Sequence, residues 1–141
     1  MANKKHIIVY YKGDISALTL FCKQADGGIC FPPLPKLCAI VEEDEQMQEL
    51  TDLYAADLIK SLNELWQLDD DILVEEPAFY QQVETPDGVV TVHMVRLKLL
   101  DPPHQLIESQ QCKLQPITAL RGGMPTEMEL LRRAYTAVMG G

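Results

Sequence analysis

Asp57, Lys60 and Glu64 stand three, four and seven residues apart in a stretch of helical periodicity. That spacing puts their side chains on one face of a helix. Two carboxylates flanking an ammonium group suit one kind of chemistry. Hard divalent cations take oxygen ligands, and a cation so held activates water and neutralises the charge of a phosphate. Glu45, Glu49 and Asp52 make a second acidic row nearer the start of the same stretch. A solvated helix face has the same composition, because every amphipathic helix carries polar residues opposite its core stripe. Lys60 and Glu64 at i,i+4 would then form a surface pair contributing only ~0.2–0.5 kcal/mol. The run Glu42-Glu43-Asp44-Glu45 fits the positive end of a helix dipole.

The other chemistry-bearing residues are dispersed. Cys22, Cys30 and Cys38 stand eight apart and Cys112 is remote, which matches no standard zinc spacing. Reduced, partly buried thiols are expected. His6, His93 and His104 are scattered, and none forms a ligand-like pair with a cysteine. His93 falls inside a strand, where a packing or surface role is expected rather than that of a catalytic base. A cysteine nucleophile would need a paired base, and no such pairing is legible.

These residues must be positioned by the elements around them. Apolar residues at Met47, Leu50, Tyr54, Leu58, Leu62 and Leu65 predict a helix over Glu45–Trp66. Before it, Ile7–Lys12 and Ala17–Lys23 read as strands able to form a hairpin. Phe31-Pro32-Pro33-Leu34-Pro35 is a rigid extended connection, since each proline lacks a donor and fixes φ. Leu37–Val41 reads as a short strand. After the helix, Ile72–Glu84 and Val89–Leu99 form a hairpin through Thr85-Pro86-Asp87-Gly88, where Pro presets φ and Gly accepts a positive one. Val90, Val92 and Met94 alternate with Val89, Val95 and Leu97. A strand with two apolar faces is expected inside a sheet covered on both sides. Asp101-Pro102-Pro103-His104 ends that strand, and Gln111–Pro116 reads as one more short strand. Thr126 and Glu129 have the spacing of a capping box, ahead of a final helix with Met128, Leu131, Ala134, Tyr135 and Val138 on its apolar face.

The 141 residues are read as one domain spanning 1–141. The net charge of −9 opposes duplex nucleic-acid binding, whose affinity comes mainly from Lys and Arg neutralising phosphates. No stretch is long enough to span a membrane, and Ile7–Tyr11 is too short for the hydrophobic region of a signal peptide. A cytoplasmic location is expected.

The order of elements resembles that of the Nudix hydrolase superfamily. Three passages carry the resemblance: Phe31-Pro32-Pro33-Leu34-Pro35, the helical run from Ala55-Ala56 to Leu68, and Pro116–Leu120 followed by the helix with Leu130-Leu131-Arg132-Arg133-Ala134-Tyr135. It implies a Nudix-like α/β/α sandwich with a mixed sheet. The long helix should cover one face and Glu127–Val138 the other. The family motif is Gly, five residues, Glu, seven residues, then Arg-Glu-apolar-x-Glu-Glu-x-Gly-apolar. Aligned to end at Leu68, the motif finds Gln46 for the first glycine, Asp52 for the first glutamate, Lys60 for the arginine and Ser61 for the next glutamate. Leu62 and Glu64 match, Leu65 replaces the second of the paired glutamates, and Gln67 replaces the glycine. Lys36-Leu37 stands where a glycine pair is expected.

The resemblance with this eroded motif implies a Nudix-like domain without hydrolase activity. It would bind a small nucleotide-like ligand or a protein partner, with no cofactor and with a homodimer as one form of partner. Two alternatives stand beside it. In a divergent hydrolase, Asp52, Asp57 and Glu64 would hold Mg²⁺ or Mn²⁺, Glu42 or Glu43 would assist, and Asp57, Lys60 and Glu64 would serve catalysis. A structural or oligomer-forming α+β module is the other.

Overall fold

A computed structural model describes residues 5–13, 18–25, 27–42, 56–69, 71–120 and 123–140. The expected residues Met47, Leu50, Tyr54, Glu45, Glu49 and Asp52 lie outside the described residues, as do Glu43 and Asp44. The elements are β1 (Lys5–Lys12), β2 (Thr19–Gln24), β3 (Cys30–Phe31), β4 (Ala39–Ile40), α1 (Ala56–Trp66), β5 (Leu73–Thr85), β6 (Gly88–Leu97), α2 (His104–Ser109), β7 (Cys112–Gln115) and α3 (Pro125–Gly140). A 3-10 turn at Ile117–Leu120 leads towards α3.

The strands form one mixed sheet in the order β4-β5-β6-β1-β2-β7, with β3 also on β1. β5 and β6 pair antiparallel through the expected turn, closed by Thr85 Oγ1 donating to the Gly88 carbonyl at 2.7 Å. Gly88 has φ +123°, a conformation that costs glycine least. β6 pairs with β1 in parallel from Lys5–Thr91 to Tyr11–Leu97, which places it in the interior of the sheet. The other edge of β1 is divided. Tyr10, Tyr11 and Lys12 pair with β2, whereas Ile7 and Ile8 pair with β3. The sheet therefore forks between β2 and β3.

Two apolar clusters occupy opposite faces, as the two-faced β6 predicts. Ile8, Tyr10, Phe21, Val92 and Met94 pack with Leu130, Leu131 and Ala134 of α3. Ile7, Val9, Tyr11, Val95 and Leu97 pack with Leu62 and Trp66 of α1 and with Ile107 of α2. The result is an α/β fold with helices on both faces of the sheet. No described helix is long and apolar enough to cross a membrane.

Two local expectations are corrected, and one element joins those expected. Leu65 is 70% exposed, whereas Leu62 is 6% exposed and Trp66 is buried. The buried stripe of α1 is turned towards Trp66 because the Phe31 ring meets Trp66 edge-on, with ring centroids 5.8 Å apart. The segment after β6 does more than end the strand, for it forms α2 and buries Ile107. Finally, Thr126 does not cap α3. The first turn closes from Met128 N–H to the Met124 carbonyl at 3.0 Å, so Pro125 takes the first helical position, where its missing N–H has no helical partner to lose. Thr126 Oγ1 instead donates to the Cys38 carbonyl at 2.7 Å, and Glu129 binds Arg132 and Arg133.

Candidate functional site

Asp57, Lys60 and Glu64 all lie on the exposed side of α1. Asp57 is engaged there. Its Oδ1 accepts from Lys5 Nζ at 3.0 Å, and this hydrogen bond holds its carboxyl below the usual range. Lys60 and Glu64 do not pair with each other. Ser61 Oγ turns back to the Asp57 carbonyl at 3.0 Å, an ordinary helix back-bond. Asp52 lies outside the described residues. Among the described residues, no three His, Cys, Asp or Glu side chains gather closely enough to hold a metal ion. Glu42 is clasped by Arg133, whose Nη2 donates to both its carboxylate oxygens at 2.9 and 3.0 Å. The same guanidinium donates to Glu129 and to Gln81, joining α3 to β5 and to the chain after β4.

The cysteines are all free. A hydrogen bond with Cys112, together with burial, pushes the Cys22 thiol far up. Burial and the neighbouring Glu127 do the same to Cys30. Burial also raises Cys38. Thiols held protonated are poor nucleophiles. His6 and His93 are buried, and His6 Nδ1 lies 2.6 Å from the Pro32 carbonyl oxygen. Both occupy core positions on β1 and β6.

The fork in the sheet opens a cleft of about 540 Å³ that the sequence did not announce. Its walls come from the loop after β2, the proline-rich connection and the start of α3. Leu34, Leu120 and Met124 supply apolar surface, and the backbones at Gly27, Gly28 and Gly123 approach it closely. Gly27 has φ +97°, which lets the chain turn at the fork. The buried Glu127 fixes the wall by accepting from Ile29 N–H at 3.2 Å. Lys23 and Lys36 also line the cleft, and neither forms a salt bridge among the described residues.

An apolar wall with two ammonium groups, beside one carboxylate that Ile29 N–H already engages, suits a small organic anion. The body of such a ligand loses contact with water against Leu34 and Met124, while the lysines bind its charged end. Lys23 and Lys36 stand thirteen residues apart on different elements. No local spacing signals their meeting.

The fold and this cleft define a small α/β protein with a concave, cation-lined site. No protein-family model matches the chain, and no curated protein matches it in sequence.

Proposed function

We propose that the chain is a Nudix-like domain that binds a small nucleotide-like ligand at the Lys23–Lys36 cleft without hydrolysing it. One observation carries the reading: in a chain of net charge −9, two lysines that form no salt bridge among the described residues line one apolar-walled cleft, whose carboxylate, Glu127, is held by Ile29 N–H. The base or another apolar body would lie against Leu34 and Met124, with the phosphates at the lysines. The engagement of Asp57 by Lys5 supports binding over hydrolysis, since a carboxylate held by an ammonium is a weakened cation ligand. The replacement of motif glutamates by Ser61 and Leu65 points the same way. A cytoplasmic location belongs to the same reading and agrees with four free thiols.

Calorimetric titration with a panel of nucleoside diphosphate derivatives is the test. Binding should weaken about tenfold or more in Lys36→Gln, the loss of one charge-assisted contact of about 1.5–3 kcal/mol. Turnover of any panel member with Mg²⁺ or Mn²⁺, abolished by Glu64→Gln, would sink the reading and put the hydrolase alternative first. A panel that leaves the protein unbound, with a mass in solution of two subunits, would favour the oligomer-forming module.

A further inference from the structure

Cys22 of β2 and Cys112 of β7 belong to one apolar cluster, on the face of the sheet covered by α1 and α2. The antiparallel register pairs Cys22 with Leu114 and Gln24 with Cys112. Residues two apart on a strand share a face, so the two cysteines are diagonal neighbours on adjacent strands. A hydrogen bond joins their thiols. Cys22 is the donor, since the contact pushes its thiol up, and Cys112 Sγ in turn donates to the Gln110 carbonyl at 3.4 Å. Their access to solvent differs. Cys22 is 0% exposed, whereas Cys112 is 6% exposed and lines an open cleft of about 620 Å³.

The position suits a reversible bond rather than a permanent one. Diagonal neighbours in a sheet stand roughly 7–8 Å apart, whereas the Cα atoms of a disulfide usually stand about 4.4–6.8 Å apart. Closing a bond between the two sulfurs therefore draws β7 towards β2 by on the order of 1 Å. β7 has four residues, is the outer strand and pairs with β2 alone among the described residues, so this movement breaks no second pairing. Strain of that kind makes a disulfide more easily reduced, as labile and regulatory disulfides are.

We propose that Cys22 and Cys112 form an oxidisable dithiol site whose substrate is a small hydroperoxide and whose product is a reversible disulfide between β2 and β7. Hydrogen peroxide enters by the cleft and meets Cys112 first. The Cys112 thiolate attacks one peroxide oxygen. An S–O bond forms, the O–O bond breaks, and the departing hydroxide takes up the thiol's proton and leaves as water. Cys112 is then a sulfenic acid, its sulfur oxidised by two electrons. The Cys22 sulfur attacks the Cys112 sulfur. The S–S bond forms, the S–O bond breaks, and hydroxide leaves with the Cys22 proton as a second water. One peroxide and two thiols thus give one disulfide and two waters. A protonated Cys22 is a weak nucleophile, but its contact with Cys112 makes this step intramolecular, which offsets the weakness. The site is independent of any ligand at the Lys23–Lys36 cleft.

Treatment of the folded protein with hydrogen peroxide, followed by alkylation, digestion and mass mapping of the peptides, is the test. Two of the four free thiols should be lost, in a peptide pair joining Cys22 to Cys112, and dithiothreitol should restore both. Cys22→Ala should trap Cys112 as a sulfenic acid that dimedone labels. Cys112→Ala should leave Cys22 reduced. Cys38, which is only partly buried, is the internal control. Oxidation of Cys38 with the pair intact would mean that exposure alone selects the thiol, and overturns the proposal. Four thiols surviving a peroxide excess overturn it too, as does a Cys22–Cys112 bond that forms only in urea. Should either variant fail to fold, the peptide map of the parent chain decides by itself.

Discussion

Lys5 Nζ lies 3.0 Å from Asp57 Oδ1, tying the first strand to a helix that begins more than fifty residues later. The Asp57 side chain is 67% exposed, so water screens the pair. Asp57 thereby serves as an anchor on the outer face of α1 and has little freedom to turn towards a cation.

Asp57→Asn should change stability at pH 7 by less than about 1 kcal/mol, the usual range of an exposed ion pair. Lys5 lowers the carboxyl's pKa in the folded state. The pair's contribution is therefore present above the unfolded carboxylate range and is lost as pH falls through the folded pKa. Urea melts at pH 7 and pH 3 check this: the variant and the parent should differ less at pH 3.

The face of α1 is tested by adjacent truncations. Leu62→Ala should cost about 2–5 kcal/mol, since Leu62 is enclosed among Val9, Trp66 and Leu97. Leu65→Ala and Glu64→Gln should each stay within about 0.5 kcal/mol, as surface changes do. Denaturant midpoints showing Leu65→Ala as the costlier leucine change would reverse the assignment of faces.

Thr126 separates a helix cap from a tertiary hydrogen bond. Aspartate is a good N-cap, so Thr126→Asp would be tolerated at a capping position. Here the hydroxyl must donate to the Cys38 carbonyl. An ionised carboxylate has no proton to give, and Thr126→Asp should lose about 1–3 kcal/mol. Thr126→Ser, which keeps the donor, should lose much less. A thermal melt of the two variants side by side decides the matter.

Tyr10 predicts the alkaline limit of the fold. Burial, with Glu76 nearby, pushes its phenol up to about 12, against the opposing influence of Arg96. The neutral phenol is therefore favoured in the folded state. Its contribution is complete below the unfolded value of about 10 and declines by roughly 1.4 kcal/mol per pH unit as pH rises towards 12. Absorbance titration of tyrosinate should show one residue ionising late, and Tyr10→Phe should remove that step.

Features that depend on near neighbours along the chain were legible before any fold was known. Alternation along β6 showed that both its faces are covered, because side chains on a strand point alternately to opposite sides. Gly88 and Pro86 marked the hairpin turn through their φ preferences. The final helix was legible from its periodic apolar face. Which residue of the pair Leu65 and Trp66 is buried depends on long-range packing, since Phe31 reaches α1 from a distant strand. Such packing also decides that Thr126 bonds to Cys38 rather than to its own helix, because the neighbouring chain offers a carbonyl that no local motif records. The meeting of Lys23 and Lys36 at one cleft has the same origin. It follows from the fork at β1, and sheet order of this kind is set by long-range burial, not by the spacing of residues along the chain.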